Sequence, residues 1–351
     1  MRKLSVAVMG ATGVVGQRIC SMLADHPWFE VSTLTGRTSA GKRYGEVVNW
    51  LLPTGVPESL VNIRVEPTEP ERVEADLVLS ALPSAAAREI EPRFAEEGFP
   101  VVSNASAHRM EADVPLVVPE VNPEHVELVE AQRRGRGWEG FIATDPNCST
   151  INLVLALKPL HDLLTIKKVI VTTMQAVSGA GYPGVPSLSI IDNVIPYIER
   201  EEEKMQRETL KILGRLEGEK VEEASFSVAA SCNRVPTLDG HLETVYLEAE
   251  EEVDLEEVEE ALRGFRGLPQ ELGLPTAPEN PIILREERDR PQTRLDRMAG
   301  SVPGMSVTVG RLRPGIDERS LQFVLLGHNT IRGAAGCAIL LAELLRAQGW
   351  I

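Results

Sequence analysis

A lone cysteine where irregular chain gives way to a helix is a candidate nucleophile. Residues 145–150 read Asp-Pro-Asn-Cys-Ser-Thr, and the apolar run Ile151 to Leu160 follows at once. Asp145, Pro146 and Asn147 resist regular structure. Asn147 or Ser149 can cap the helix by accepting from an orphan amide. Cys148 then lies in the positive field of a helix N-terminus, which predicts a lowered thiol pKa and a thiolate available near neutrality. The alternative, open to any free cysteine, is a small buried core thiol. A second chemical signal is Gly10-Ala-Thr-Gly13-Val-Val-Gly16, placed between an apolar strand candidate, Leu4 to Met9, and helically spaced Val14, Val15, Ile19, Met22 and Leu23. A strand, a glycine turn and a helix offer an amide-lined N-terminus for a pyrophosphate. The spacing departs from Gly-x-Gly-x-x-Gly, and the bland alternative is a tight turn with close helix packing.

The elements around these residues alternate. Val31 to Leu34, Ala75 to Leu82 and Pro100 to Ser103 are further strand candidates, with helical stretches such as Ser84 to Phe94 between them. That alternation predicts a doubly wound parallel sheet. After its second strand an NAD site presents an acidic residue to the ribose. Here Thr35 to Lys42 holds no carboxylate but does hold Arg37, Thr38 and Ser39, while Glu30 precedes the strand. The segment favours NADP over NAD. Beyond Cys148 come a β-rich run ending at Gln175, the flexible Ser178-Gly-Ala-Gly181, a charged helix over 199–213, and an Asp239-Gly240 turn before His241. Taken singly, Gln175 reads as a strand-end polar residue and His241 as a turn histidine. Residues 264–304, rich in Pro, Gly and Arg, read as an ordered surface excursion, and an apolar helix, Cys337 to Leu345, packs back on the first domain.

Composition narrows the class. A length of 351 residues suggests two domains, and 43% hydrophobic with 25% charged residues is ordinary for a globular protein. A net charge of −16 argues against a nucleic-acid or anionic-membrane partner. Glu248 to Glu260 carries nine carboxylates in thirteen residues, read as a solvated helix face with Asp254 and Glu257 in a capping-box pattern. Cys20, Cys148, Cys232 and Cys337 form no Cys-x-x-Cys pair, and the six histidines lack ligand spacing, so no disulfide framework or metal site is expected. Met1-Arg-Lys before Leu4 superficially resembles a signal peptide, yet the glycine-punctuated pattern reads as the opening of a domain. No apolar stretch approaches the roughly 20 residues of a membrane span. A reducing cytoplasm is the expected location.

As an ordered set the residues resemble the aspartate-semialdehyde dehydrogenase family, in its archaeal and fungal branch. The resemblance spans essentially the whole chain: GATGVVGQ at 10–17, SNASAHRM at 103–110, DPNCST at 145–150, QAVSGAG at 175–181, EEEKMQRETLKIL at 201–213, NRVPTLDGHLE at 233–243, RPQTRLDR at 290–297 and NTIRGAAG at 329–336. It implies a Rossmann-type dinucleotide-binding domain, 1–147 with 330–351, and an α+β catalytic and dimerisation domain, 148–329, in a homodimer or homotetramer. It implies NADPH-dependent reduction of β-aspartyl phosphate to the semialdehyde through a cysteine thioester, in lysine, threonine and methionine biosynthesis. Cys148 matches the nucleophile, His241 the general acid–base and Gln175 the residue orienting the acyl-enzyme. Arg234 would grip the substrate carboxylate, Glu208 the ammonium group, and Arg109, Lys211 and Asn147 the phosphate. Glu208 and Lys211 also fit an exposed i,i+3 ion pair, and the charged segment admits a register one turn away. The cofactor would lie on Gly10, Thr12, Gly13, Val14, Val15 and Gly16, with Arg37 to Ser39 at its 2′-phosphate, Ser84 after its strand, and Ser178, Gly179 and Asn329 nearer the nicotinamide. Rival readings are a malonyl- or succinyl-coenzyme A reductase on the same scaffold, an N-acetyl-glutamyl-phosphate reductase, and a non-catalytic NADP-binding regulator.

Overall fold

The computed structural model describes residues 2–351. Six strands, β1 (Leu4–Met9), β2 (Phe29–Thr35), β3 (Val65–Glu66), β4 (Leu77–Ser80), β5 (Pro100–Ser103) and β6 (Phe141–Thr144), form one sheet. Their order is β3-β2-β1-β4-β5-β6 and every pairing is parallel. This is the doubly wound order whose reversal point, beside β1, opens a crevice for a dinucleotide. Val6, Val8, Leu77 and Leu79 on one face and Ala7, Met9 and Val78 on the other are fully buried, as strands covered on both faces require. Helices α1 (Val14–Leu23), α2 (Ser84–Glu96) and α3 (Leu128–Arg136) are among the elements that cover the sheet. β4 is shorter than the apolar run suggests, because Ala81 and Leu82 already belong to the turn that meets the glycine loop.

The second sheet is mixed. It is built from β7 (Ile166–Gln175), β10 (Ser227–Arg234), β11 (His241–Ala249), β12 (Ile282–Arg285), β13 (Val307–Pro314) and β14 (Ser320–Gly327), in the order β10-β7-β11-β14-β13-β12. A small hairpin, β8 (Arg215–Glu217) with β9 (Lys220–Glu222), stands apart. Against one sheet face pack α4 (Cys148–Leu163), α5 (Glu201–Ile212) and α6 (Leu255–Gly264) around Leu153, Leu157, Val171, Val245 and Phe323. Asp254 caps α6 by accepting from the Glu256 amide, so the expected reciprocal bond with Glu257 is replaced by a single contact. The 264–304 segment is more than a surface excursion, since its Ile282–Arg285 pairs in parallel with β13 as an edge strand.

The connection between the two halves is continuous. β6 ends at Thr144 and four residues later α4 begins at Cys148, so the candidate nucleophile stands where the first sheet hands over to the second core. Residues Ile331–Ala335 form a π-helix that runs straight into α7 (Gly336–Ala347). α7 returns to the first core, where Ile339, Leu340 and Leu344 cluster with Val6, Ile19 and Phe29. No helix among the described residues is long and apolar enough to cross a membrane.

Candidate active site

Strand ends assemble the second half of the site. β7 and β10 run in parallel and end opposite each other at Gln175 and Arg234. β11, antiparallel to β7, starts at His241, which pairs with Gly327 at the end of β14. Three polar side chains are thereby brought to one sheet edge by topology alone. Each is buried: Gln175 donates to the Thr173 hydroxyl at 3.2 Å, and Arg234 Nη1 donates to the Ala176 carbonyl at 2.7 Å. Burial lowers the pKa of Arg234. A Cβ on Gly179 would lie 2.9 Å from Arg234 Nη1 and 3.3 Å from His241 Nε2, so the 178–181 turn covers this edge with bare backbone.

Cys148 meets that edge from α4. Its Sγ lies 3.3 Å from His241 Nε2. Asn147 is the cap, its Oδ1 accepting from the amides of Ser149 at 3.0 Å and Thr150 at 3.2 Å, while the Ser149 hydroxyl makes no bond. The Ala176 amide donates to His241 Nδ1 at 3.1 Å, which places the proton of a neutral ring on Nε2, facing the sulfur. Burial, then Arg234, pushes His241 down to about 3. The expected lowered thiol is corrected here. Burial, then Glu201, pushes Cys148 up to about 12, and Arg234, Arg109 and Lys204 only partly oppose this. Withdrawing a thiolate from water outweighs the field of one helix end.

α5 carries the remaining charges, and here the sequence expectation changes most. Glu208 is buried with one oxygen accepting from Arg109 Nη1 at 3.1 Å and the other from the Asn147 amide at 2.7 Å. All three protons of Lys211 donate to carbonyls, those of Arg109, Glu111 and Val114, at 2.7, 2.8 and 3.0 Å. Burial pushes Lys211 down to about 8. Its assignment to the phosphate is corrected on that geometry: the ammonium has no free proton for a ligand. Two turns nearer the helix start, Glu201 accepts from Asn147 Nδ2 at 2.8 Å and from Lys204 Nζ at 3.3 Å, and both residues act on Cys148. Glu201 and Lys204 were missed because the Glu-x-x-Lys pattern occurs twice, seven residues apart, on one helical stripe. Asn147 supports the turn through its cap and through Glu201, and one of its two Nδ2 protons stays free.

Arg109 donates Nη2 to the Asn104 carbonyl at 2.7 Å, and its buried Nε has no partner among the described residues. Burial disfavours its charge, but Glu208 and Asp145 outweigh that and hold it protonated. Arg109, Lys204 and Glu208 line a cleft of about 280 Å³ with Ser84, Ser106 and Arg207. Ser84, expected beside the cofactor, bonds Ser106 at 3.2 Å and faces this cleft. Glu243, two residues beyond His241, is fully buried with neither oxygen bonded, and burial followed by Glu201 raises its pKa. The π-helix closes the site from behind, where a Cβ on Gly333 would lie 2.9 Å from Cys148 Cβ. Beside it Arg332 grips Glu120 through two bonds of 2.7 and 2.6 Å, with both side chains fully buried.

The first sheet supplies a cradle that fits a dinucleotide. Gly10 has φ +73° and a Cβ there would meet the Ala81 oxygen at 2.7 Å; one on Gly16 would meet the Gly10 oxygen at 2.3 Å. Gly13 starts α1 without a side-chain cap, which leaves the amide end toward Val14 and Val15 available to a phosphate. Gln17, not foreseen, clamps the loop by donating to the carbonyls of Thr12 and Asn49 and accepting from the Leu51 amide. Arg37 and Thr38 are exposed after β2, whereas Ser39 is buried, with its hydroxyl turned toward Gly36. Asn329 joins Ser178 Oγ to the Gly240 amide, both at 2.8 Å. Among the described residues no cluster of side chains could hold a metal ion.

Comparison with known proteins agrees over the whole chain. Residues 5–129 match the family described as semialdehyde dehydrogenase, NAD binding domain, and residues 157–332 match semialdehyde dehydrogenase, dimerisation domain. An aspartate-semialdehyde dehydrogenase of Methanothermobacter thermautotrophicus is 57% identical, covering 97% of this chain and 99% of its own. The NADP-bound crystal structure of that enzyme from Candida albicans superposes with a TM-score of 0.91, at 41% identity and 100% coverage of both chains. A malonyl CoA reductase (NADP) of Metallosphaera sedula is 43% identical over 100% of this chain and 99% of its own.

Proposed function

The chain belongs to the aspartate-semialdehyde dehydrogenase family, and from that membership we propose that it reduces L-4-aspartyl phosphate to L-aspartate 4-semialdehyde with NADPH. The observation that carries the reading is Cys148 Sγ, 3.3 Å from His241 Nε2, ringed by Arg109, Lys204, Arg234 and Glu201. Cations for a phosphate and a carboxylate, and one carboxylate for an ammonium group, match the charges of an amino-acid acyl phosphate. Glu201 and Lys204 take the roles first given to Glu208 and Lys211, with Arg234 on the substrate carboxylate.

In this reading the Cys148 thiol gives up its proton as the sulfur attacks the acyl carbon; the carbon–oxygen bond to phosphate breaks, its electron pair leaves with the phosphate onto Arg109 and Lys204, and that proton ends on the phosphate. Gly10 to Gly16, Arg37, Thr38, Ser178, Gly179 and Asn329 would hold NADPH, which when bound supplies hydride to the thioester carbon. His241 Nε2–H donates to the sulfur and then to the oxygen as it gains charge. That oxygen re-forms the carbonyl as the carbon–sulfur bond breaks, and the sulfur takes up one proton from solvent to restore the thiol. His241, neutral with its Nε2–H facing the sulfur, is the proposed acid–base of this step. Gln175 orients the thioester. We divide the domains at 147/148 and 329/330. Exposed Ile170, Tyr182, Leu188, Ile191, Val194 and Tyr197 support a homodimer, or a tetramer of such pairs, formed through the second domain. A cytoplasmic location accords with four free thiols.

The test is oxidation of aspartate semialdehyde with NADP and phosphate, set beside reduction of malonyl- and succinyl-coenzyme A with NADPH. A kcat/KM at least 100-fold higher for the semialdehyde is expected. Preference for a coenzyme A thioester overturns the assignment.

A further inference from the structure

We propose that Glu208 is a positioning residue that couples the anion-binding guanidinium of Arg109 to the backbone of the nucleophile turn. This rests on reading the cleft beside Cys148 as an acyl-phosphate site. The carboxylate is 2% exposed and bridges two parts of the chain, Arg109 Nη1 at 3.1 Å and the Asn147 amide at 2.7 Å. Asn147 directly precedes Cys148 and caps its helix. Two of the five N–H groups on Arg109 are therefore spent, on Glu208 and on the Asn104 carbonyl. Three remain for a phosphate, including the buried Nε that has no partner among the described residues.

Lys211 completes the bracket. It lies three residues after Glu208 on α5 and pins the carbonyls of Arg109, Glu111 and Val114. One face of α5 thus holds Arg109 both by its side chain and by its main chain. A bidentate carboxylate between two fixed donors is stiff, and charge-assisted bonds of this kind are short and directional. The separation between leaving group and attacking sulfur is then set by the protein before the substrate arrives. As the sulfur–carbon bond forms and the carbon–oxygen bond breaks, the departing phosphate stays on Arg109 while the turn that carries Cys148 stays fixed to the same carboxylate. Preorganisation of this kind acts on rate through orientation.

The test is a double-mutant cycle of Glu208→Gln with Arg109→Lys, reading KM for inorganic phosphate and for aldehyde during NADP reduction. Glutamine can still accept from the Asn147 amide but turns its own N–H groups on the guanidinium. Coupling predicts that Glu208→Gln raises the phosphate KM at least tenfold and leaves the aldehyde KM within threefold, with or without an amino group on the aldehyde. In the Arg109→Lys background it should add less than threefold. Additive losses overturn the proposal, as does an aldehyde KM that rises only for the amino-bearing substrate, or a lowered melting point with unchanged kinetics. Should Glu208→Gln fail to fold, Glu208→Asp carries the same cycle, because the shorter side chain cannot span both donors. A wild-type protein that ignores phosphate altogether refutes the acyl-phosphate reading itself. Additivity with phosphate turnover intact refutes the coupling alone.

Discussion

Replacing Gly333 by alanine tests how tightly the π-helix fixes Cys148, the proposed nucleophile. The new methyl would lie 2.9 Å from Cys148 Cβ, 3.0 Å from its carbonyl oxygen and 3.1 Å from its Cα. Carbon atoms rest about 3.5–4.0 Å apart, so the shortfall against Cβ is roughly 0.6–1.1 Å. Neither side gives easily. Arg332, next in the π-helix, is locked to Glu120, and the Cys148 turn is held by the Asn147 cap, Glu201 and Glu208. Overpacking of this kind costs about 1–3 kcal/mol of stability. A displacement near 1 Å at the reacting atom costs about 100-fold in rate. The expectation is a folded protein with kcat reduced roughly 30- to 300-fold and a phosphate KM near normal, measured by steady-state NADPH formation beside thermal unfolding. Gly135→Ala is the control: nothing lies within 4 Å of its Cβ, and alanine should stabilise α3 by about 0.5–1 kcal/mol without touching the rate. If Gly333→Ala keeps more than a third of wild-type kcat, the wall behind Cys148 is softer than argued here.

Cys148→Ala should abolish turnover. In the wild-type protein alkylation of Cys148 by iodoacetamide should accelerate about tenfold per pH unit from 7 to 10, because the thiolate is the reactive form and burial holds the thiol near 12; a plateau below pH 9 refutes that shift. Arg37→Ala should weaken NADP by about 10- to 150-fold, since a charge-assisted hydrogen bond is worth roughly 1.5–3 kcal/mol, and barely change NAD. Equal losses in cofactor titrations would show that Arg37 does not face the 2′-phosphate. Lys211→Met leaves three carbonyls unpaired and should destabilise the protein by about 3 kcal/mol or more; a rise in phosphate KM with unchanged unfolding would return Lys211 to the ligand.

How far the sequence could be read depended on what kind of information each feature needs. β1, β5 and the glycine loop were legible because strand, turn and helix signals are local and adjacent. Cys148 was legible from its place at a helix start, whereas Gln175, Arg234 and His241 took their roles from the family resemblance, and sheet topology explains how those three meet at one edge. Register on α5 was not legible. A shift of seven residues is nearly two whole turns, so Glu201 with Lys204 and Glu208 with Lys211 share one helical face. Only the third dimension shows which pair reaches the sulfur. The thiol pKa was misjudged for a related reason, since a helix N-terminus can be read from six residues while the depth of burial depends on Arg234, Glu201 and His241 from distant strands and helices. β12 was hidden within Pro- and Arg-rich chain because an edge strand of four residues carries little pattern of its own.

The return of α7 to the first core has a consequence for how the protein is made. Residues 4–144 lay down all six parallel strands, yet the face that Ile339, Leu340 and Leu344 cover stays bare until residues 336–347 have been synthesised. Arg346 then clasps the carbonyls of Trp28 and Arg2 across more than three hundred positions of chain. At roughly 5–20 residues per second, the nascent first domain waits about 10–40 s with an open apolar flank. Over that interval a chaperone that shields exposed hydrocarbon has most to offer, and a ribosome stalled before residue 336 holds a chain whose dinucleotide cradle is already encoded but whose core is incomplete.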